Sequence, residues 1–546
     1  VKYKEITGSV FREMLIGAVS LLEKNKEAVN DLNVFPVPDG DTGTNMSMTM
    51  MSAVQEAKSA ETDTVTQVAD AASLGALKGA RGNSGVILSQ IFRGFSYGLK
   101  GDIKTLEPQH LASAAKQGVD SAYKAVMKPK EGTILTVARA ISDGAEAALK
   151  DKVGTYDMLV RMISSGEAML KRTPDMLPVL KEAGVVDAGG EGLLIIYRGF
   201  KAVLDGEKIE DLVIETSEAA HDHELIMGDE DIEFGYCTEF FIKRVHESTT
   251  QLDLDKFRDE LSQIGDCVLV VGDLGLVKVH VHTNHPGQAL EKAFTIGGEL
   301  SKLKIDNMRE QHRELDPSFG EAKPQKKQKP IALVAVSSGD GISAIFKDFM
   351  VDEIIQGGQT MNPSAQVILD AIENAPSQNV IIFPNNKNII LAAEQAAKLS
   401  KKNVHVVPSK SLPQGISAAL TYNPDMPVEY NVDRMVAALD QVKTGQVTTA
   451  IRDAKSNGHK INEGEMIGIL DSDIVCHNKD IAVTAMDLLS KMVDEDSGII
   501  TVFYGSDVTE SDAQAIVDQA EEKFKDCDVE MHSGGQPVYA YIFSVE

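Results

Sequence analysis

Apolar positions in the first 203 residues recur with helical spacing in Ala-rich stretches at 9–29, 44–58, 64–78, 84–99, 108–127, 133–149, 156–170 and 189–204. Convincing period-two runs are absent from this part. Short polar connections rich in Gly, Pro and Asp separate the stretches, as they do where neighbouring helices run antiparallel. The pattern predicts an all-α bundle over residues 1–205. An acidic stretch of low periodicity, 206–231, then reads as a connector.

Beyond it the period changes. Strands are predicted at 234–245, 267–272 and 275–283, helices at 253–264 and 286–298, and a closing strand at Ser301–Ile305. Their order, β-α-β-β-α-β, is that of a ferredoxin-like α+β module over 232–315. Residues 316–330 carry three Pro, one Gly and four Lys with almost no apolar side chains, the composition of a solvated linker. From 331 to 546, strands at Ile331–Val336, Val380–Phe383 and Val404–Val407 alternate with helices near 341–350, 363–374 and 388–400. That alternation predicts an α/β domain with a parallel core sheet.

At 546 residues the chain is too long for one core, in agreement with several domains. Its formal charge of −28 argues against nucleic acid or an anionic membrane surface as partner, since binding to either draws on clustered Lys and Arg. No apolar run approaches the roughly 20 residues of a membrane span, and the first residues lack a signal peptide's apolar segment. Cys237, Cys267, Cys476 and Cys527 follow no framework spacing, which suits free thiols in a reducing compartment. The expected location is the cytoplasm.

The segment with the most evident chemistry is Asn33-Val-Phe-Pro-Val-Pro-Asp-Gly-Asp-Thr-Gly-Thr-Asn-Met46. Asp39 and Asp41 flank a Gly in a loop entering a helix, a spacing at which two carboxylates hold one or two hard cations, with Mg²⁺ the best fit. Thr42, Gly43, Thr44 and Asn45 follow at the helix N-terminus, where free N–H groups and the helix dipole favour phosphate. An isolated Asp-Gly-Asp is ordinarily a capped turn. Two further Gly-rich loops, Gly79–Gly85 with Gly82, Asn83 and Ser84, and Asp187-Ala-Gly-Gly190, exceed what caps require. Neither a Walker run nor a protein-kinase signature is present.

These residues resemble the nucleotide-binding (L-type) subunit of dihydroxyacetone kinases, an eight-helix barrel in which an Asp-x-Asp loop holds two Mg²⁺ against ATP. The resemblance spans roughly residues 1–205. It implies that Asp39 and Asp41 bind metal, that Thr44 and Asn45 contact phosphates, that Ser84 and Gly85 cover them, and that Gly132, Thr133 and Asp187 line the nucleotide. Where that family supplies a further Asp, this sequence has Val34, and Asn33 is the substitute chosen as third metal ligand over Asp31.

In Leu276–Thr283 the alternation puts Lys278, His280 and His282 on one strand face and Val277, Val279 and Val281 on the other. Cys237 falls on a strand that would neighbour this one. Three readings stand open: a Cys-His-His set for tetrahedral Zn²⁺, an ordinary solvated strand face beside a buried thiol, or a His that accepts a phosphoryl group. The loops Val336–Ile342, Gly357–Ser364 and Ile382–Lys387 end strands where α/β sheets place ligands, although each is also explained as a turn or cap.

The last domain resembles the DegV-type fold of fatty-acid-binding proteins, with degenerate motifs and no lipid pocket assigned. Together the three parts resemble the ATP-binding subunit of bacterial fatty acid kinase. That resemblance implies ATP-dependent phosphorylation of a fatty-acid carboxylate on a separate DegV-family carrier, giving acyl phosphate for phospholipid synthesis. It further implies a homodimer, a docking role for 331–546, and Cys237, His280 and His282 beside the transferring phosphoryl group or holding Zn²⁺. The alternatives are a non-catalytic ATP-sensing regulator and the nucleotide-binding part of a glycerone-type kinase.

Overall fold

The structure is a computed structural model. It describes residues 3–546 except 4, 34–40, 61–63, 127, 208–233, 247, 248, 250, 274, 275, 308–327, 359, 360, 457 and 458. The chain divides into two compact units, Val1–Thr216 with Gln328–Glu546, and Ser217–Lys327. The helical N-terminal part and the C-terminal α/β part therefore belong to one unit. Most of the acidic connector, and of the linker 316–330, falls outside the described residues.

Among the described residues, eight long helices build the N-terminal part: Gly8–Lys24, Thr42–Ser59, Val65–Gly79, Gly82–Gly98, Pro108–Ala125, Ile134–Lys150, Thr155–Leu170 and Ala188–Asp205. Each places its apolar stripe in one common core that includes Leu15, Met46, Leu88, Ile141 and Leu194. Small residues let the axes approach closely. A side chain at Gly199 would meet the Ala18 Cα at 2.5 Å, and one at Gly85 would meet the Thr49 Oγ1 at 2.4 Å.

The stretch expected as a single helix over 9–29 is broken at Asn25, whose backbone leaves the helical region and whose side chain donates to the Leu21 carbonyl at 2.7 Å. A short helix, Lys26–Asn30, follows and ends just before the Asp-rich loop. Two more short helices, Thr173–Met176 and Pro178–Ala183, occupy what read as connection, each opened by a Pro in its first turn.

The C-terminal part contains two main sheets. Four parallel strands run in the order Glu353–Gln356, Ala332–Ser337, Asn379–Phe383 and Asn403–Val406. The second sheet, unforeseen in the sequence, has six strands in the order Asp473–Asn478, Met466–Leu470, Lys443–Thr449, Tyr541–Val545, Ile499–Tyr504 and Asp528–Ser533. It is antiparallel except for its last pair. Its central strands are covered on both faces, Tyr541–Val545 being buried along its whole length, so they lack the alternation by which a half-exposed strand is recognised.

Helical and α/β parts share a core. Ala80 and Val86 pack with Val334, Val336, Ile368 and Ile389, and the Ala365 amide donates to the Ala80 carbonyl at 3.1 Å. Buried Gln395 reaches Ser89 and Gln90 at 3.3 and 3.1 Å. Such burial of apolar and fully paired polar groups is typical of an interior rather than of a loose domain contact.

The second unit has the expected element order β-α-β-β-α-β. Its strands lie in the order Gly265–Asp273, Leu276–Thr283, Tyr236–Val245 and Gly297–Asn307, every neighbouring pair antiparallel. The helix expected over 286–298 stops at Ala293, because Gly297 and Gly298 begin the last strand, which is longer than foreseen. Among the described residues no helix is long and apolar enough to cross a membrane.

Candidate functional site

The entry to the Thr42–Ser59 helix is built around Asn30. Its side-chain oxygen accepts from the Gly43 amide at 2.8 Å and the Thr44 amide at 3.2 Å, while its amide nitrogen donates to the Thr44 Oγ1 at 3.1 Å. Asn30 thus caps the helix from outside its own segment, a duty Asp41 does not perform although it stands at the N-cap position. Thr42 donates to the Asn33 Oδ1 at 2.8 Å, and Asn33 donates to the Asn30 carbonyl at 2.9 Å. The two ends of the Asp-rich loop are thereby tied together, and the Asp41 carboxylate is left facing a pocket.

This pocket has a volume of about 420 Å³. Four of the long helices direct their N-termini at it. Thr42 and Asn45, Asn83 and Ser84, Ile134, and Ala188 with Gly189 lie in their first turns and all line the wall. Each N-terminus carries about half a positive charge, so the convergence favours a polyanion.

Asp187 closes this wall. Its Oδ2 accepts from the Gly190 amide at 2.7 Å, capping the Ala188–Asp205 helix. Burial pushes its carboxyl up to about 6, against the opposing pull of the Gly190 and Ile134 amides.

The opposite wall comes from the carboxyl ends of all four parallel strands. Ser338, Gly357 with Gly358, Asn385–Asn388, and Lys410 with Ser411 line it. The crevice beyond such strand ends is where open α/β sheets bind ligands. Side chains brace these loops against one another. Asn385, at a left-handed φ of 56°, donates to the Val336 carbonyl at 2.8 Å and accepts from Ser409 at 2.7 Å, and Asn386 donates to the Gly358 carbonyl. Lys387, donating to Ser472 at 3.0 Å, and Lys410 bring positive charge to this side.

Comparison with known proteins locates the arrangement in a family. Residues 36–202 match the DAK2 domain, 233–315 the middle domain of the FakA-like fatty acid kinase proteins, and 332–546 their C-terminal domain. Protein YloV of Bacillus subtilis (strain 168) is 45% identical over 562 residues, covering 100% of both chains. The chain belongs to the FakA-like fatty acid kinase family.

A second relative, from Staphylococcus aureus (strain USA300), is 44% identical over 554 residues, covering 99% of this chain and 100% of its own. Among solved structures, the dihydroxyacetone kinase from C. freundii in complex with AMP-PNP and Mg²⁺ aligns with 41% of this chain and 51% of its own. Its identity is 12% and its TM-score 0.30, too distant a likeness to bear on function.

In this FakA-like chain the pocket gathers seven of the residues singled out from sequence: Asn33, Asp41, Thr42, Asn45, Asn83, Ser84 and Asp187. Asp39 lies outside the described residues. Gly43 and Thr44 do not line the pocket; their amides are engaged by Asn30, and a side chain at 43 would strike the Lys26 carbonyl at 2.2 Å. Gly82 and Gly85 serve close packing on Asn45 and Thr49 instead of lining the wall. Gly132 and Thr133 also stand back from it. The Gly132 amide donates to Thr136 at 2.8 Å and the Thr133 hydroxyl to the Lys130 carbonyl at 2.8 Å, which shapes the turn that delivers Ile134. Asn33, chosen as a metal ligand, spends its oxygen on Thr42.

Sequence reasoning missed the α/β wall. The loops after Val336, Gln356 and Phe383 were noticed as strand ends, yet nothing in them pointed toward the helical part. Arg81 was missed as well: it is buried and donates to the Asn362 carbonyl at 3.3 Å.

Within the second unit, Cys237 is the register partner of His282, and Glu239 that of His280. On its other side His282 is paired with Asp266. Val277, Val279 and Val281 are fully buried with Phe240, Ile242, Leu254 and Phe257, as the alternation requires. The side chains of Cys237 and His280 lie outside the described residues. Among the described residues no group of three or more His, Cys, Asp or Glu is arranged to hold a metal.

Proposed function

We propose that this chain is the nucleotide-binding subunit of a fatty acid kinase, transferring the γ-phosphoryl group of ATP to a fatty-acid carboxylate presented by a separate carrier protein. The observation that carries this reading is the convergence of four helix N-termini and the Asp41 carboxylate on one pocket. A triphosphate is the biological polyanion that wants both: amide dipoles for its oxygens and a carboxylate-held cation for its remaining charge.

The residues present fit Mg²⁺. Asp41 faces the pocket, Asp39 precedes it by two residues, and hard carboxylate oxygens are the donors this ion selects. Bound there, Mg²⁺ would neutralise charge developing on the phosphates.

The rest falls to the chain. A fatty carboxylate is already ionised near neutral pH, so no general base is required. One of its oxygens forms the new bond to the γ-phosphorus, the bond from that phosphorus to the β–γ bridging oxygen breaks, and acyl phosphate and ADP leave. The helix N-termini hold the phosphates, and Lys387 and Lys410 balance charge from the α/β side.

The decisive experiment supplies ATP, Mg²⁺ and a fatty acid, with and without a fatty-acid-binding protein of the DegV family, and traps the product with hydroxylamine. Hydroxamate formed only with the carrier supports the proposal. No hydroxamate, or phosphorylation of dihydroxyacetone in its place, defeats it.

A further inference from the structure

The α/β part grips the Asp-rich loop on both flanks. On the incoming side the Arg452 guanidinium donates to the carbonyls of Asp31 and Asn33, with the Asp31 carboxylate 3.8 Å away. On the outgoing side the Asn362 side-chain amide donates to the Asp41 Oδ2. Asn362 is only 3% exposed, and its own carbonyl is held by buried Arg81 at 3.3 Å.

This contact is built. Beside Asn362, the Gly358 amide donates to the Met361 carbonyl at 2.8 Å, and the Ala365 amide donates to the Ala80 carbonyl at 3.1 Å. Across from it lies Gly82, whose lack of a side chain makes room for Asn45. A side chain at 82 would come within 2.4 Å of the Asn45 Nδ2 and 3.4 Å of the Asn362 Nδ2.

A donor on one carboxylate oxygen fixes the plane of the whole group. Partners that orient a ligand in this way matter nearly as much to metal binding as the ligand does. We propose that Asn362 and Arg452 are positioning residues for the metal–nucleotide site: Asn362 orients Asp41, and Arg452 anchors Asn33, which lines the same pocket. The inference rests on the reading of Asp41 as a Mg²⁺ ligand. It makes the α/β part a fixed component of the phosphoryl-transfer site as well as a surface for partners.

The test is Mn²⁺ binding to the full chain, followed by loss of the free-ion EPR signal in the presence of a non-hydrolysable ATP analogue. Affinity for the metal-free analogue is measured alongside it. Asn362→Ala, and Asn362→Asp, which sets a like charge against Asp41, should each weaken Mn²⁺ uptake by about tenfold or more, with affinity for the metal-free analogue unchanged. Arg452→Ala, at a half-buried position less exposed to folding failure, should weaken it in the same selective manner. An unchanged Mn²⁺ midpoint in all three variants overturns the inference, as does tighter binding, which would mean that Asn362 competes with the metal. If the unaltered chain takes up no Mn²⁺ with nucleotide, the metal site itself falls, and the proposed function with it.

Discussion

Asn30, the last residue of one short helix, caps the next long helix by accepting from the Gly43 amide at 2.8 Å. The cap spans the whole Asp-rich loop, so a single side chain controls both the stability of the Thr42–Ser59 helix and the position of Asp41. Asn30→Ala should cost about 0.5–2 kcal/mol, the usual range for a lost N-cap. Urea unfolding would measure it, and a midpoint equal to that of the unaltered chain would remove this role.

Asp41→Ala should abolish hydroxamate formation while leaving the fold intact, because the pocket loses a carboxylate and the core is untouched. Circular dichroism and the trapped-product assay on the same preparation separate the two effects. Retained turnover would show that Asp41 is not part of the site.

Asp187 should give the protein a pH-dependent stability of unusual sign. Its carboxyl titrates at about 6 when folded, against an ordinary value of 3.8. Between those values the folded chain holds a proton that the unfolded chain has released, so this group makes stability fall as pH rises from about 4 to 6. Asp187→Asn should remove that slope and be relatively more stabilising at pH 7 than at pH 4. Carbon NMR of the side chain with parallel unfolding curves would test it, and a midpoint near 4 would contradict the prediction.

Gly82 has a left-handed φ of 57°, and its Cα faces Asn45 with no room for a methyl group. Gly82→Ala should therefore destabilise by roughly 1–3 kcal/mol and displace Asn45 from the pocket. Nucleotide affinity should fall together with stability. An alanine variant as stable and as tight-binding as the parent would show that the contact is soft.

The long helices, the parallel strands and much of the helical wall follow from local sequence signals. Helical spacing, Gly-rich loops and an Asp-Gly-Asp turn are local signals, so Asp41, Asn45, Ser84 and Asp187 were legible as residues at helix starts. Alternation likewise identified Val277, Val279 and Val281 as core, because burial of one strand face follows from period two. What the tertiary structure decided is which helix starts meet, and what stands opposite them. Asn362 lies 321 positions from Asp41 and Arg452 lies 419 from Asn33, separations over which no periodicity carries information. The structure also separated the glycines. Gly82 and Gly85 admit neighbouring helices and Gly43 admits the Lys26 carbonyl, a distinction that depends on close approach of backbone in space and leaves no trace in spacing along the chain.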